Sequence, residues 1–110
     1  FNWIGPGLDS IYTSKEGSSR VVTQFLGHIA RGEPINLVDG GLQKRTFTYI
    51  DDGIEALSLI LANKNDVANG KIYNIGNPAN NFSVKELANM MLTIAKRIPE
   101  YRETALQVVI

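Results

Sequence analysis

Apolar residues recur along the chain at two periods, and the switches between them mark out the elements. Phe1-Asn2-Trp3-Ile4 is a short apolar run closed by Gly5-Pro6-Gly7, the pattern of a strand running into a loop. Val21, Val22, Phe25, Leu26 and Ile29 then return at helical spacing until Gly32 and Pro34 interrupt them, which predicts a helix over 18–31 with Ser18 as its cap. Ile35-Asn36-Leu37-Val38 reads as a strand ended by Asp39-Gly40-Gly41, and Thr46-Phe47-Thr48-Tyr49-Ile50 as a second extended piece, with the glycines turning the chain between them. A second helix is predicted from Asp51 or Asp52, either carboxylate capping its first amides, with Ile54, Leu57, Ile60 and Leu61 as its buried stripe and fraying near Asn63. After a polar loop over 65–70, Lys71-Ile72-Tyr73-Asn74-Ile75 reads as a strand closed by Gly76-Asn77-Pro78. The third helix has the sharpest start. Ser83 with Glu86 three residues on forms a capping box, Phe82 and Leu87 are placed as a hydrophobic staple, Met90, Met91, Ile94 and Ile98 continue the apolar face, and Pro99 ends it. The run 106–110 is a last β-rich segment.

This alternation of strand and helix predicts an α/β fold in which helices cover a largely parallel sheet. Such sheets bind ligands at the loops beyond the carboxyl ends of their strands, so the segments after Ile4, Val38 and Ile75 are the places to search. There is no internal repeat or low-complexity tract, and residues 1–110 read as a single unit. With no initiator Met at one end and no turn residue or polar tail after the other, the chain reads as a piece of something longer.

Composition narrows the chemistry. Eleven Lys and Arg balance eleven Asp and Glu, so no basic field exists to hold a nucleic acid. The absence of cysteine removes disulfides, thiolate metal sites and thiol nucleophiles together. The densest apolar window, 57–62, is already broken by Ser58 and falls far short of the roughly 18 apolar residues of a membrane span.

The run from Asp39 to Arg45 sets two glycines beside an amide and two cations. Glycines let backbone amides approach an anion, and an arginine supplies a planar fork matched to phosphate oxygens; a hairpin turn with solvated charges is the competing reading. Gly5-Pro6-Gly7-Leu8-Asp9-Ser10 imitates a dinucleotide fingerprint and fails it, because Ser10 replaces the third glycine and no helical period follows. Asp51, Asp52 and Glu55 read as helix-start residues rather than a metal cluster, and His28 as a packed or surface histidine. Gly17-Ser18-Ser19-Arg20 opens a helix, where plain capping competes with anion binding. No Tyr-x-x-x-Lys, Gly-x-Ser-x-Gly, His-Glu-x-x-His or Walker loop occurs, so no self-sufficient catalytic set is present and no catalytic or metal-binding residue is assigned.

Phe1-Asn2-Trp3-Ile4-Gly5-Pro6, the run from Asp39 to Arg45 with Phe47 and Asp51-Asp52-Gly53, and Tyr73-Asn74-Ile75-Gly76-Asn77-Pro78 stand in an order and spacing that resemble the extended short-chain dehydrogenase family. The likeness is to the carboxyl-terminal, nucleotide-sugar-binding part of that Rossmann-like fold, incomplete as a stand-alone domain. It also takes in Gly17-Ser18-Ser19-Arg20 and Ile54-Glu55-Ala56-Leu57, and within the family it runs toward the UDP-glucuronic acid decarboxylases. The resemblance implies a cytoplasmic parent enzyme that uses NAD to oxidise UDP-glucuronic acid at C4, loses carbon dioxide and releases a UDP-4-keto-pentose for the aminoarabinose modification of lipid A and polymyxin resistance. A UDP-sugar 4-epimerase or a UDP-xylose synthase shares the same loop, and a non-catalytic interaction piece is the alternative outside enzymology.

Carried over residue by residue, the resemblance implies that Asn2 contacts substrate and that Asn36, Leu37, Val38, Asp39, Gly40, Gly41, Leu42, Gln43, Lys44 and Arg45 line the UDP, with Arg45 on the diphosphate. Leu42 stands where the family pattern has a basic residue. The implied dinucleotide-binding half, the Tyr-x-x-x-Lys pair and the acidic catalytic residue precede Phe1, and an arginine proton donor follows Ile110. The 110-residue chain alone is therefore expected to show no turnover and no tight NAD binding, to need the missing amino-terminal half as partner, and to hide its cut apolar surface by oligomerising. No membrane insertion is expected.

Overall fold

A computed structural model describes residues 2–13, 20–105 and 108–109. In chain order the elements are β1 (Asn2–Ile4), α1 (Val21–Arg31), β2 (Ile35–Asn36), β3 (Lys44–Tyr49), α2 (Ile50–Ala62), β4 (Asn81–Ser83), α3 (Val84–Ala95) and β5 (Val108–Val109). β1 runs parallel to β3, with Asn2 opposite Phe47 and Ile4 opposite Tyr49, while β4 lies antiparallel on the other side of β3. β2 and β5 pair in parallel as a second, two-stranded sheet. The α/β expectation holds, with two small sheets in place of one.

The core lies between α1, α3 and the strands. Phe25 and Ile29 of α1 meet Leu87, Ala88, Leu92 and Ala95 of α3 over Ile35, Leu37, Phe47 and Val84. Ala88 is fully buried, the small side chain that close packing of neighbouring helices favours. Both helices owe their ends to local chemistry. α1 stops at Gly32, which adopts a left-handed conformation (φ 68°), while the Glu33 amide returns to the His28 carbonyl at 2.8 Å. α3 starts with the expected capping box: Ser83 Oγ accepts the Glu86 amide at 3.1 Å, and Glu86 Oε2 accepts the Ser83 amide at 2.7 Å. The bond from the Ser83 amide first, and then one from the Ser83 side chain, hold the Glu86 carboxyl below its ordinary value.

Several expectations are corrected. Asp39-Gly40-Gly41 does not turn a hairpin, because β2 and β3 do not pair; Val38–Gly41 is a tight turn, and Asp39, Gly40 and Gly41 all have positive φ. β2 is also two residues long, since this turn begins at Val38. α2 begins one residue before Asp51, and neither aspartate caps it: the cap position is Tyr49, which makes no side-chain cap bond. Its apolar stripe is not buried, for Ile54, Leu57 and Leu61 are all exposed and Gly53 is its one buried residue. Residues 71–75 join no ladder, and Ile72 is 97% exposed. On α3, Met90 and Ile94 are exposed, and the helix ends at Ala95, ahead of Pro99, so that Ile98, also exposed, lies beyond it. Phe82 does pack against the core that contains Leu87. The Ser18 cap of α1 lies outside the described residues.

The one buried residue of α2, Gly53, lies in its first turn. A Cβ on Gly53 would lie 2.6 Å from the Trp3 ring, so the missing side chain is what lets the helix sit on β1. The radius of gyration, 16.7 Å, exceeds the roughly 13 Å of a compact chain of this length, in keeping with a helix that stands clear of the core.

Candidate functional site

A polar concavity opens where the carboxyl end of β2, the start of β3 and the start of α1 converge. Its volume is about 440 Å³, within the range of small-ligand sites. Asn2, Asn36 and Arg45 contribute to its wall from the strands, Val38 and Gln43 from the turn between β2 and β3, Arg20 from the residue before α1, and Val21, Gln24, Phe25 and Val84 from the two helices. Among these lining residues are two guanidinium groups and four carboxamides, and no carboxylate. That combination attracts an anion and offers it directional donors.

Each polar group is set by the chain around it. Asn2 Nδ2 donates to the Thr46 carbonyl at 3.2 Å, tying β1 across to β3. Arg45 lines the cavity from the start of β3 while its Nη1 donates to the Lys44 carbonyl at 2.8 Å. Arg20 Nη1 donates to the Leu8 carbonyl at 2.8 Å, and its amide meets Asp9 Oδ2 at 3.4 Å. The Ser10 amide, 3.0 Å from Asp9 Oδ1, is the chief cause of an Asp9 carboxyl lowered from its ordinary value, so the carboxylate that neighbours Arg20 stays ionised. Gln43 is held by its backbone, its carbonyl accepting the Val84 amide at 3.1 Å.

Five of the eleven substrate residues expected from the sequence thus meet on one wall: Asn2, Asn36, Val38, Gln43 and Arg45. The other six do not line it. Leu37 is buried in the core, Asp39 and Lys44 are exposed, and Leu42 is 75% exposed. Gly40 belongs to the tight turn. Gly41 is buried against α3, where a Cβ would come 3.0 Å from the Lys85 amide nitrogen and 3.1 Å from Leu37 Cδ1. Its lack of a side chain serves close packing. Gln24 was not legible as a site residue, because the sequence places α1 but not the cavity beside its first turn; Arg20 was legible only as part of a helix opening.

The remaining candidates take structural places. His28 Nδ1 donates to the Pro34 carbonyl at 2.7 Å, which ties the end of α1 to the chain leaving it. Among the described residues no three His, Asp or Glu side chains are grouped to hold a metal ion. The glycines after β1 lead into turns rather than a helix, and a Cβ on Gly5 would collide with Ile50, so Gly5 is spent on packing. These residues do not fit a dinucleotide. Among the described residues no helix is long and apolar enough to cross a membrane.

Two solved structures resemble this chain over nearly its whole length. The crystal structure of PbgP3 protein from Burkholderia pseudomallei is 72% identical, superposes with a TM-score of 0.85, and is matched over 99% of this chain and 33% of its own. The crystal structure of UDP-glucose 4-epimerase with UDP-glucose from the hyperthermophilic eubacterium Thermotoga maritima is 27% identical, with a TM-score of 0.65, over 98% of this chain and 29% of that one. The chain therefore spans about a third of the length of the proteins it matches. The profile of the NAD dependent epimerase/dehydratase family matches residues 1–76, from β1 through α2 to the glycine that follows Ile75. A match over more than two thirds of the sequence, joined to the shared fold, means that the chain belongs to the NAD dependent epimerase/dehydratase family.

Proposed function

We propose that this chain is the UDP-sugar-holding part of an NAD-dependent UDP-glucuronic acid decarboxylase, whose UDP-4-keto-pentose product serves the aminoarabinose modification of lipid A and polymyxin resistance. The observation that carries the reading is the concavity ringed by Arg20, Arg45, Asn2, Asn36, Gln24 and Gln43, with no carboxylate among the described residues of its wall. A nucleoside diphosphate sugar needs cations for its bridging phosphates and amide groups for its hydroxyls, and this wall supplies both. The likeness to an epimerase solved with UDP-glucose supports a UDP-sugar as the occupant.

In this reading Arg45 takes the diphosphate from the β3 side, and Asn2, fixed by its bond to Thr46, presents its carboxamide to the sugar. Leu37, Asp39, Gly40, Gly41, Leu42 and Lys44 shape or flank the rim. In this reading NAD is held by the remainder of the parent protein, and the chain alone is expected neither to turn over nor to hold NAD tightly.

Calorimetric titration of UDP into the parent protein tests the assignment. Saturable binding is expected, weakened about tenfold or more by Arg45→Ala, because one charge-assisted bond is worth on the order of 1.5 to 3 kcal/mol. Absence of UDP binding, or an Arg45→Ala protein that binds as well as the original, overturns it. Carbon dioxide and NADH formed from UDP-glucuronate mark the decarboxylase. Conversion of UDP-glucose to its 4-epimer instead marks a 4-epimerase built on the same cavity.

A further inference from the structure

The loop that closes α2 is tied together by one side chain. Asn63 takes a left-handed conformation (φ 45°) just past the helix, where its amide still donates to the Leu59 carbonyl at 3.1 Å. Its Oδ1 accepts the Ala68 amide at 2.9 Å. Its Nδ2 donates to Asn69 Oδ1 at 2.7 Å and reaches Asp66 Oδ1 at 3.5 Å. The carboxamide of Asn69 is thus held by that of Asn63.

Asn69 is the one asparagine of the sequence that is followed by glycine; the others precede residues whose side chains shield the next peptide nitrogen. Asn69 and Gly70 are both exposed. The Asn69 amide bonds the Asp66 carbonyl at 3.3 Å and the Lys71 amide the Ala68 carbonyl at 3.2 Å, but the Gly70 amide between them bonds no described residue. Gly70 has a φ of 66°, and beyond its chain neighbours no described atom lies within 4 Å of where its Cβ would stand. A backbone amide is normally committed to an acceptor. This one is free, bare of a side chain, and in a turn that nothing packs against.

We propose that Asn69 is a site of spontaneous deamidation, with water as the co-reactant. The Gly70 nitrogen attacks Asn69 Cγ and gives up its proton. The new N–C bond closes a cyclic imide as the C–N bond of the carboxamide breaks, and the side-chain nitrogen leaves as ammonia. Water then adds to either carbonyl of the ring and opens it, leaving aspartate or isoaspartate at position 69. One water enters and one ammonia leaves, and nothing is oxidised or reduced. The bond from Asn63 Nδ2 draws electron density from the Asn69 carbonyl and steadies the negative charge that gathers on Oδ1 during the attack.

The product no longer suits the loop that made it. A carboxylate at 69 shares the Asn63 nitrogen with the Asp66 carboxylate, so that two like charges meet on one donor. An isoaspartyl link also carries the chain through the side-chain carbon and lengthens the backbone between Ala68 and Gly70. The change is a slow, one-way mark of the age of the molecule, written at the carboxyl end of α2, and it is independent of what the polar cavity binds.

Ageing of the folded parent protein at mildly alkaline pH, followed by peptide mapping with mass spectrometry, is the test. The peptide that holds Asn69 is expected to divide into aspartyl and isoaspartyl forms about tenfold or more faster than any other asparagine reacts, because only this one precedes a glycine. Gly70→Ala is expected to slow that loss by about tenfold or more, and Asn69→Gln to leave the peptide unchanged over the same period. A rate at 69 no greater than at the other asparagines overturns the proposal, and so does a rate that Gly70→Ala leaves as it was. An Asn69 that stays intact in the folded protein while it reacts in urea also overturns it, for the fold would then shield the site.

Discussion

α2 and α3 have almost the same length and equally clear apolar faces, yet one is seated and the other is bare. α3 buries Val84, Leu87, Ala88, Leu92 and Ala95, and a capping box closes its start. α2 buries Gly53 alone and has no side-chain cap. An amphipathic period states which face of a helix must be covered; it is silent on whether the covering surface belongs to the same stretch of chain.

The comparison can be broken at its seated end. Leu87→Ala removes a buried side chain from between two helices and is expected to cost about 2 to 5 kcal/mol in urea denaturation of the chain, whereas Leu61→Ala on the bare helix should change stability by no more than about 0.5 kcal/mol. Equal losses at the two sites would mean that α2 is covered after all. Gly53→Ala tests the one seated point of α2: helix propensity favours alanine, but the Trp3 ring leaves no room, so a net loss of about 1 to 3 kcal/mol is expected, with a change in Trp3 fluorescence. A stabilised variant would show that the ring moves freely.

Smaller effects sharpen the difference at the helix starts. Ser83→Ala is expected to cost about 1 kcal/mol, while Asp51→Ala, at a helix without a side-chain cap bond, should cost less than half of that. The capping box also has a pH signature. Because the folded Glu86 carboxyl titrates below its ordinary value of 4.5, its contribution is complete above that value and is lost as pH falls through the lowered one. Glu86→Gln should flatten that acid limb of the stability curve, and an unchanged limb would remove the box from the account.

What the sequence disclosed divides along the same line. The carboxyl end of α1 and the start of α3 were legible because Gly32, Ser83 and Glu86 act on backbone groups within a few residues of themselves. The hairpin expected at Asp39-Gly40-Gly41 failed because strand choice is non-local: β2 pairs with residues 108–109, and β3 with residues on either side of it in the chain, 2–4 and 81–83. The same holds for the cavity. Asn2, Asn36 and Arg45 were named from motifs, but their meeting with Arg20 and Gln24 depends on where α1 lies against the strands, which no motif encodes. Leu42 and Lys44 belong to the same run of sequence, yet they are exposed and lie outside the wall.

Gly41 has a consequence for anyone wishing to alter what the cavity accepts. Seated so close to the Lys85 nitrogen that even a methyl group would press on it, and held at a positive φ, it works as a shim that sets the gap between the rim and the neighbouring helix. A larger residue there would pry the two apart and shift several wall positions at once. Tuning of ligand preference is better attempted at Gln43, two places along, where the backbone is already pinned to Val84 and a new side chain would alter one contact while leaving the frame in register.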